Sequence, residues 1–93
     1  QDFAQARIRY EQAAEHGIAQ AQCNLGTMYN NGDGCQKNLA TSRKYHQMAA
    51  DQGLELSEYQ LGQMIYEGKG GPQDFLAAGD AKLEKDQAPT DNV

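Results

Sequence analysis

The sequence predicts an all-α solenoid of about five helices, and three observations support this prediction. First, segment 21–34 (AQCNLGTMYNNGDG) is repeated with changes at 57–70 (SEYQLGQMIYEGKG), 36 residues later. Second, the Ala-Ala pairs at 13–14 and 49–50 are related by the same offset. Third, the apolar positions inside each block follow the 3.6-residue period of a helix. A period of roughly 20–50 residues is typical of repeat arrays built from one helical unit.

The first predicted helix covers residues 2–15 and forms the second helix of a partial repeat, 1–17. Asp2 stands where a side-chain acceptor caps the first backbone amides of a helix. Gly17 follows the helix end, as a left-handed cap does. The apolar side chains on one face of this helix are Phe3, Ala6, Tyr10, Ala13 and Ala14.

A full repeat is predicted over 18–53, with helices at 18–31 and 38–51. The glycines at 32 and 34 mark the turn between them, because glycine reaches positive φ without steric cost. Asn38 is placed as the cap of the second helix, and Gly53 follows its end. The residues predicted to face inward are Ala21, Leu25, Met28, Tyr29, Leu39, Ser42, Tyr45, Ala49 and Ala50.

The last repeat is predicted over 54–88, and its second helix is degenerate. The first helix, 54–67, carries an inward stripe of Ser57, Leu61, Met64 and Ile65. A third copy of the second helix begins at Gln73, with Asp74 at the cap position. Gly79 then interrupts it, and a Lys-Asp pair at 85–86 replaces the Ala-Ala pair. Terminal repeats often carry such polar caps. Residues 89–93 are expected to be a frayed tail.

Composition excludes several classes of partner. With 93 residues and a formal charge of −5, the chain is one domain without the basic surplus that nucleic acids or anionic membranes require. No apolar run approaches the roughly 18 residues of a membrane span, so membrane insertion is not expected. The chain begins at Gln1 inside a repeat, so we expect it to be an excised or processed piece.

The pattern AxAQxxLGxMYxxGxG followed by xDxxxAxxxYxxAAxxG resembles the Sel1-like repeat, a relative of the tetratricopeptide repeat. The resemblance covers nearly the whole chain. The matching positions are Ala19, Gln20, Ala21, Gln22, Leu25, Gly26, Met28, Tyr29, Gly32, Gly34, Asn38, Ala49, Ala50 and Gly53. The departures are Cys35, Ser57, Ile65 and Gly71.

This resemblance implies antiparallel helix pairs stacked into a right-handed superhelix that acts as an adaptor, with no cofactor. Disulfide-linked members of the family carry a cysteine at the second position of the Ala-Ala pair. Here Ala14 and Ala50 occupy those positions, so that branch is not expected. Shared repeat folds do not define a particular partner.

The two cysteines are expected to be free thiols. Cys23 is placed within a helix and Cys35 in the loop beyond its far end, too far apart for a disulfide. Free thiols favour a reducing compartment such as the cytoplasm. A periplasmic or secreted location would need a leader upstream of Gln1.

The sequence contains only weak evidence for a catalytic or metal site. His16 lies at a helix end, where a cation is favoured by the helix dipole, and His46 is expected to be solvated. Neither has metal-ligand spacing with the cysteines. The GKGG run at 68–71 lacks the Ser/Thr and the strand of a phosphate loop. Segment 29–34 lacks the first and last ligands of a calcium loop. We therefore predict neither an enzyme nor a metal site.

The resemblance to tetratricopeptide-type arrays implies that the first helix of each repeat lines a concave binding face. Chaperone-type relatives use basic residues there to bind a terminal carboxylate, whereas 18–31 and 54–67 contain no Lys or Arg. A basic or neutral peptide therefore fits better. In the alternative interpretation, the two tyrosines pack on neighbouring helices and the amides are only solvated. The predicted face comprises Cys23, Asn24, Thr27, Asn30, Asn31, Tyr59, Gln60, Gln63, Tyr66 and Glu67.

The leading functional interpretation is a protein-binding module that presents this face to a protein or peptide partner. The main alternative is a bacterial secreted or periplasmic effector, or an immunity-type inhibitor, that binds one protein target. A spacer between other domains and an enzyme are further alternatives, the last resting on analogy alone. The chain is expected to be a monomer or to self-associate weakly through exposed repeat ends, with Phe3 and Tyr10 as the apolar candidates.

Overall fold

The part of the chain that the computed structural model describes, residues 2–80, contains five helices and no strand. The five predicted helices are thereby confirmed. The end of the predicted capping helix and the predicted tail at 89–93 lie outside the described residues. The helices are α1 (Phe3–Glu15), α2 (Ala19–Asn31), α3 (Leu39–Asp51), α4 (Glu55–Glu67) and α5 (Phe75–Asp80).

Side-chain caps begin the second helix of each repeat, as predicted. The Asp2 carboxylate accepts a hydrogen bond from the Gln5 amide at 3.2 Å, and the Asn38 side chain accepts one from the Thr41 amide at 3.0 Å. Asp74 caps the first amides of α5 in the same way. These bonds satisfy donors that have no partner inside the helix, so polar residues at these three positions fix where α1, α3 and α5 begin.

Two clusters within the core join consecutive helices. In the first, Ala14 of α1 packs with Ala21 and Leu25 of α2, and the Tyr29 and Tyr45 rings stack beside them with centroids 6.0 Å apart. The second cluster joins α4 to α5, with partly buried alanines packed against it. Its buried members are Leu61, Ile65 and Ala78. Each helix therefore packs mainly on its neighbours in sequence, as in a solenoid.

An arginine in α1 and another in α3 each hold the loop of the next repeat. The Arg7 Nε donates to the Gly34 carbonyl at 2.9 Å. In the same way, the Arg43 guanidinium donates to the Lys69 and Pro72 carbonyls at 3.3 and 3.0 Å. The 36-residue period thus repeats an inter-repeat contact as well as a helix pair.

Two loop glycines sit directly on the helix of the preceding repeat. Gly34 and Gly70 have φ values of 70° and 74°. A Cβ at either position would collide with helix backbone, that of Phe3 in one case and that of Leu39 in the other. Glycine is therefore required here both for its backbone conformation and for the close approach.

His46 is buried, and the prediction that it is solvated was wrong. Its side chain lies between α2 and α4 and is 2% exposed, with the ring against Gly26 and Nδ1 3.5 Å from the Ser57 hydroxyl. Burial lowers the pKa of His46. Next to it, the Ser42 hydroxyl donates to the Gly26 carbonyl at 2.6 Å. The polar residues of α3 therefore join two repeats instead of facing water.

A buried glutamine links two turns of the array. The Gln22 side chain donates to the Ala14 carbonyl at 3.2 Å and accepts a hydrogen bond from Gln52 at 2.8 Å. It is 3% exposed. Because both ends of this amide are satisfied, its burial is tolerated, and it ties the end of α1 to the turn after α3.

Candidate protein-binding face on α2 and α4

The buried sides of α2 and α4 determine which of their residues face outward. Leu25 and Met28 are buried in α2, and Leu61 and Met64 are buried at the equivalent positions of α4. The opposite side of each helix carries nine of the predicted face residues. Of these, Thr27, Asn31, Tyr59, Tyr66 and Glu67 are exposed, whereas Asn24, Asn30, Gln60 and Gln63 are half-buried. We call these nine residues the amide–aromatic face.

Cys23 does not belong to this face, contrary to the sequence-based prediction. Its side chain is 1% exposed, although Tyr59, at the equivalent position of α4, is 46% exposed. Cys35 is half-buried, and its thiol lies 3.7 Å from the Met28 carbonyl as a weak donor. Burial is the main cause that raises the pKa of the Cys35 thiol. Both cysteines are free thiols.

The α2 part of the face is a strip of amides held by short-range hydrogen bonds. Asn24 accepts from Gln20 at 3.3 Å, and Asn30 donates to Asn31 at 3.1 Å. The Thr27 hydroxyl donates to a carbonyl of its own helix at 3.3 Å. Each amide has two donor hydrogens and two acceptor lone pairs, so these bonds leave capacity for a second partner.

The α4 part of the face is aromatic. The Tyr66 ring contacts Phe75 at the start of α5, with centroids 4.9 Å apart and planes tilted by 60°. Tyr59, Tyr66 and Phe75 nevertheless remain 46%, 47% and 59% exposed. Tyr66 thus combines both interpretations of the sequence, because it packs on a neighbouring element and still presents half of its surface to solvent.

Two exposed apolar residues beside this face were not predicted from the sequence. They are Leu56, 53% exposed, and Phe75. A comparison of the repeats could have found Leu56, because the equivalent residue of α2 is the polar Gln20. Nothing comparable marked Phe75, since the equivalent residue, Leu39, is also apolar.

The contacts of the predicted residues stay within each repeat. Across residues 2–80, no hydrogen bond or ring contact joins a residue of the face on α2 to one on α4. The two halves are instead connected from behind through α3, where Ser42 and His46 contact both helices. The face therefore consists of two strips on a common support.

Helix α4 is acidic, whereas α2 carries no charged residue. Neither α2 nor α4 contains Lys or Arg, while α4 carries Glu55, Glu58 and Glu67. Glu67 pairs with Lys69 at 3.3 Å, an exposed ion pair of small energetic weight. The described residues contain no group of three or more side chains placed to hold a metal ion.

Potential acid–base groups lie away from the face. His16 is exposed, and its Nδ1 lies 2.9 Å from the Gln12 carbonyl at the end of α1. The pair formed by His46 and Ser57 is closed to solvent, with Ser57 0% exposed. A substrate could not reach this pair without separating the helices. None of the helices described is long and apolar enough to cross a membrane.

The helix pairs, loop glycines and 36-residue period agree with a comparison against known families. The model of the Sel1 repeat matches residues 1–18, 19–54 and 56–78. The chain belongs to the Sel1 repeat family. Proteins of this family generally mediate protein–protein interactions and are typically non-catalytic scaffolds. No curated protein matches the chain significantly.

Two solved structures share the Sel1 repeat fold of this chain. One is c5321, described as a protective antigen of uropathogenic Escherichia coli strains, with 38% identity and a TM-score of 0.87. The other is a Sel1 repeat protein from Oxalobacter formigenes, with 31% identity and a TM-score of 0.84. The matches cover 96% and 91% of this chain, but only 19% and 36% of those longer chains.

Proposed function

We propose that this Sel1 repeat chain is a non-catalytic interaction module that binds a partner protein or peptide on the amide–aromatic face. The observation that carries the proposal is a contrast between equivalent positions of the two repeats. Inside, α2 and α4 keep Leu25/Leu61 and Met28/Met64 as identical pairs, and the remaining changes replace Ala21 by Ser57 and Tyr29 by Ile65. Outside, Asn30 of α2 is replaced by Tyr66 in α4. Because the helix forms with either residue, the side chain at this outward position is available for recognition of a partner.

The chemistry of the face suits a protein partner. Exposed amides can donate to and accept from an extended peptide backbone at the same time. Aromatic side chains lose little conformational entropy and supply much of the binding energy at protein interfaces. Tyr59 and Tyr66 would therefore anchor the partner, and the amides of α2 would fix its register.

We further propose that residues 1–88 act as one array and that the isolated chain is a monomer or a weak self-associating species. Phe3, at the start of α1, is 45% exposed, and Tyr10 is half-buried. Such apolar groups at a repeat end would give only weak, concentration-dependent association.

A second candidate function is a secreted or periplasmic bacterial effector, or an immunity-type inhibitor, with one protein target. The observation that favours it is the 38% identity to the protective antigen of uropathogenic Escherichia coli. This function predicts a leader sequence in the complete protein and one tight partner. The adaptor function predicts several partners of moderate affinity.

Affinity capture with two matched pairs of substitutions tests the binding face. Thr27 and Gln63 are repeat-equivalent positions on the face, and Gln12 and Met48 are repeat-equivalent exposed positions on α1 and α3. Thr27→Lys/Gln63→Lys and Gln12→Lys/Met48→Lys add the same charge. Partners identified by mass spectrometry should be lost only with the first pair. Loss only with the second pair would move the site to α1 and α3, and capture of no partner would refute the binding function.

A further inference from the structure

The second repeat carries an exposed apolar ridge that the first repeat does not have. We define the aromatic ridge as Tyr59, Tyr66 and Phe75, with Leu56 at one end. All four side chains are 46–59% exposed. The two tyrosines are seven residues apart on α4, so they lie on one side of the helix, two turns from each other.

The repeat fold does not require this ridge. At the positions equivalent to Leu56 and Tyr66, α2 carries Gln20 and Asn30, yet both helices span 13 residues and end at a left-handed glycine. Exposing apolar side chains in place of amides contributes nothing to either core cluster. Exposed apolar and aromatic side chains along one side of a helix are typical of an interaction site.

The charges around the ridge favour a cation. Glu55 begins α4 one turn before Tyr59, and its carboxylate makes no hydrogen bond or ion pair within residues 2–80. The nearest basic residue in sequence, Lys69, is paired with Glu67. The ring faces of tyrosines attract cations as well, so carboxylate and aromatic groups act in the same direction.

We propose that the aromatic ridge binds an arginine-bearing segment of the partner protein. This inference rests on the proposed function and specifies its partner. One guanidinium stacks flat on the Tyr59 ring and donates to the Glu55 carboxylate, which lies one helical turn away. A second guanidinium of the segment stacks on the Tyr66 ring, two turns further along α4. A neighbouring apolar residue of the segment packs on Leu56.

Other classes of partner segment fit less well. An acidic segment would face the carboxylates of α4 without any basic residue of that helix to balance them. A wholly apolar segment would cover Glu55 and desolvate its charge without compensation. Arginine is preferred to lysine because its planar group combines stacking with several fixed donors.

Fluorescence anisotropy with designed peptides tests this proposal. The probes are three fluorescein-labelled peptides with the same leucine and serine positions, in which the remaining positions are all arginine, all glutamine or all glutamate. We expect the arginine peptide to bind about tenfold more tightly than the glutamine peptide, and the glutamate peptide not to bind. Added salt should weaken the arginine peptide most.

Variants locate the binding on the ridge. Tyr66→Asn installs the residue that α2 carries at this position, and it should weaken binding of the arginine peptide about three- to tenfold. Phe3→Asn removes an equally exposed aromatic side chain from α1 and should leave the affinity unchanged. If circular dichroism shows that Tyr66→Asn is unfolded, Glu55→Gln serves as a second test variant. It should weaken binding of the arginine peptide about two- to threefold.

Three results would overturn the proposal: no binding of the arginine peptide, equal binding of the arginine and glutamine peptides, or equal effects of Tyr66→Asn and Phe3→Asn. Its failure can be told apart from failure of the proposed function. If a captured partner depends on Thr27 and Gln63 while the arginine peptide does not bind, the binding face stands and the cationic segment is wrong. If no partner is captured and the arginine peptide does not bind, the proposed binding face and the cationic segment are both wrong.

Discussion

The contact between His46 and Gly26 gives the sharpest test of how α2 and α3 pack on each other within the full repeat. In Gly26→Ala, the new Cβ would lie 2.5 Å from Nε2, 2.6 Å from Cδ2 and 2.7 Å from Cε1 of the His46 ring. Carbon atoms in contact are normally about 3.5–4.0 Å apart. The ring must therefore retreat by about 1 Å, although its side chain is only 2% exposed.

Two opposing effects determine how much Gly26→Ala should change the free energy of unfolding. Overpacking a core of this kind costs about 2–3 kcal/mol, whereas replacing glycine by alanine within a helix gains about 1 kcal/mol. Gly26→Ala should therefore lower the free energy of unfolding by about 1–2 kcal/mol. In a His46→Ala background the collision is absent, so the same substitution should raise the free energy of unfolding by about 1 kcal/mol.

Urea unfolding followed by circular dichroism in the far ultraviolet measures all four proteins of this cycle. The coupling free energy between the two sites should be about 2–3 kcal/mol, well above the ~0.5 kcal/mol scatter of independent sites. An equal effect of Gly26→Ala in the two backgrounds would refute the packing described for this junction.

Three further predictions follow from other contacts. Burial lowers the pKa of His46, so below about pH 6.5 the unfolded chain binds a proton that the folded chain resists. The free energy of unfolding, measured in urea, should fall as the pH drops through this range, and His46→Gln should flatten the profile; an unchanged slope in His46→Gln would contradict the assignment. Gly70→Ala should lower the free energy of unfolding by about 2–4 kcal/mol in urea titrations, because alanine is strained at a positive φ and its Cβ would collide with the Leu39 backbone. A decrease no larger than that of an ordinary surface substitution would contradict this prediction. Asn38→Ala should lower the free energy of unfolding by about 1 kcal/mol and lower the midpoint of thermal unfolding. Asn38→Asp keeps a capping acceptor and should retain the midpoint of the unsubstituted chain. Equal decreases of the midpoint in the two variants would exclude the cap as the cause.

Local signals in the sequence were sufficient to predict the helices. The caps at Asp2, Asn38 and Asp74 and the glycines after the helices act within a few residues, so a single repeat reveals them. The repeated inward stripe then indicated which side of α2 and α4 is buried. The exposure of the amide–aromatic face follows from the same stripe.

The burial of His46 depends on a contact between repeats, which local patterns do not show. His46 shares a helix face with Ser42 and Ala49, both 0% exposed. This face contains small and polar residues, so its composition resembles that of a solvated surface. Only the placement of α3 between α2 and α4 shows that it is core.

The prediction for Cys23 was wrong as well. It placed Cys23 and Tyr59, which occupy equivalent positions of the two repeats, on the same exposed face, whereas their side chains are 1% and 46% exposed. Equivalent positions in an array therefore need not have equivalent exposure. The identity of a partner is likewise not encoded in helix periodicity, which is why the sequence indicates a surface and not its ligand.

Hydrogen–deuterium exchange of the chain, measured with and without a captured partner, tests the central claim most directly. If the amide–aromatic face binds, protection should increase in α2 and α4, and the exchange of α1 should change little. Protection concentrated in α1 and α3, with α2 and α4 unchanged, would contradict the account and place the partner on the opposite side of the array.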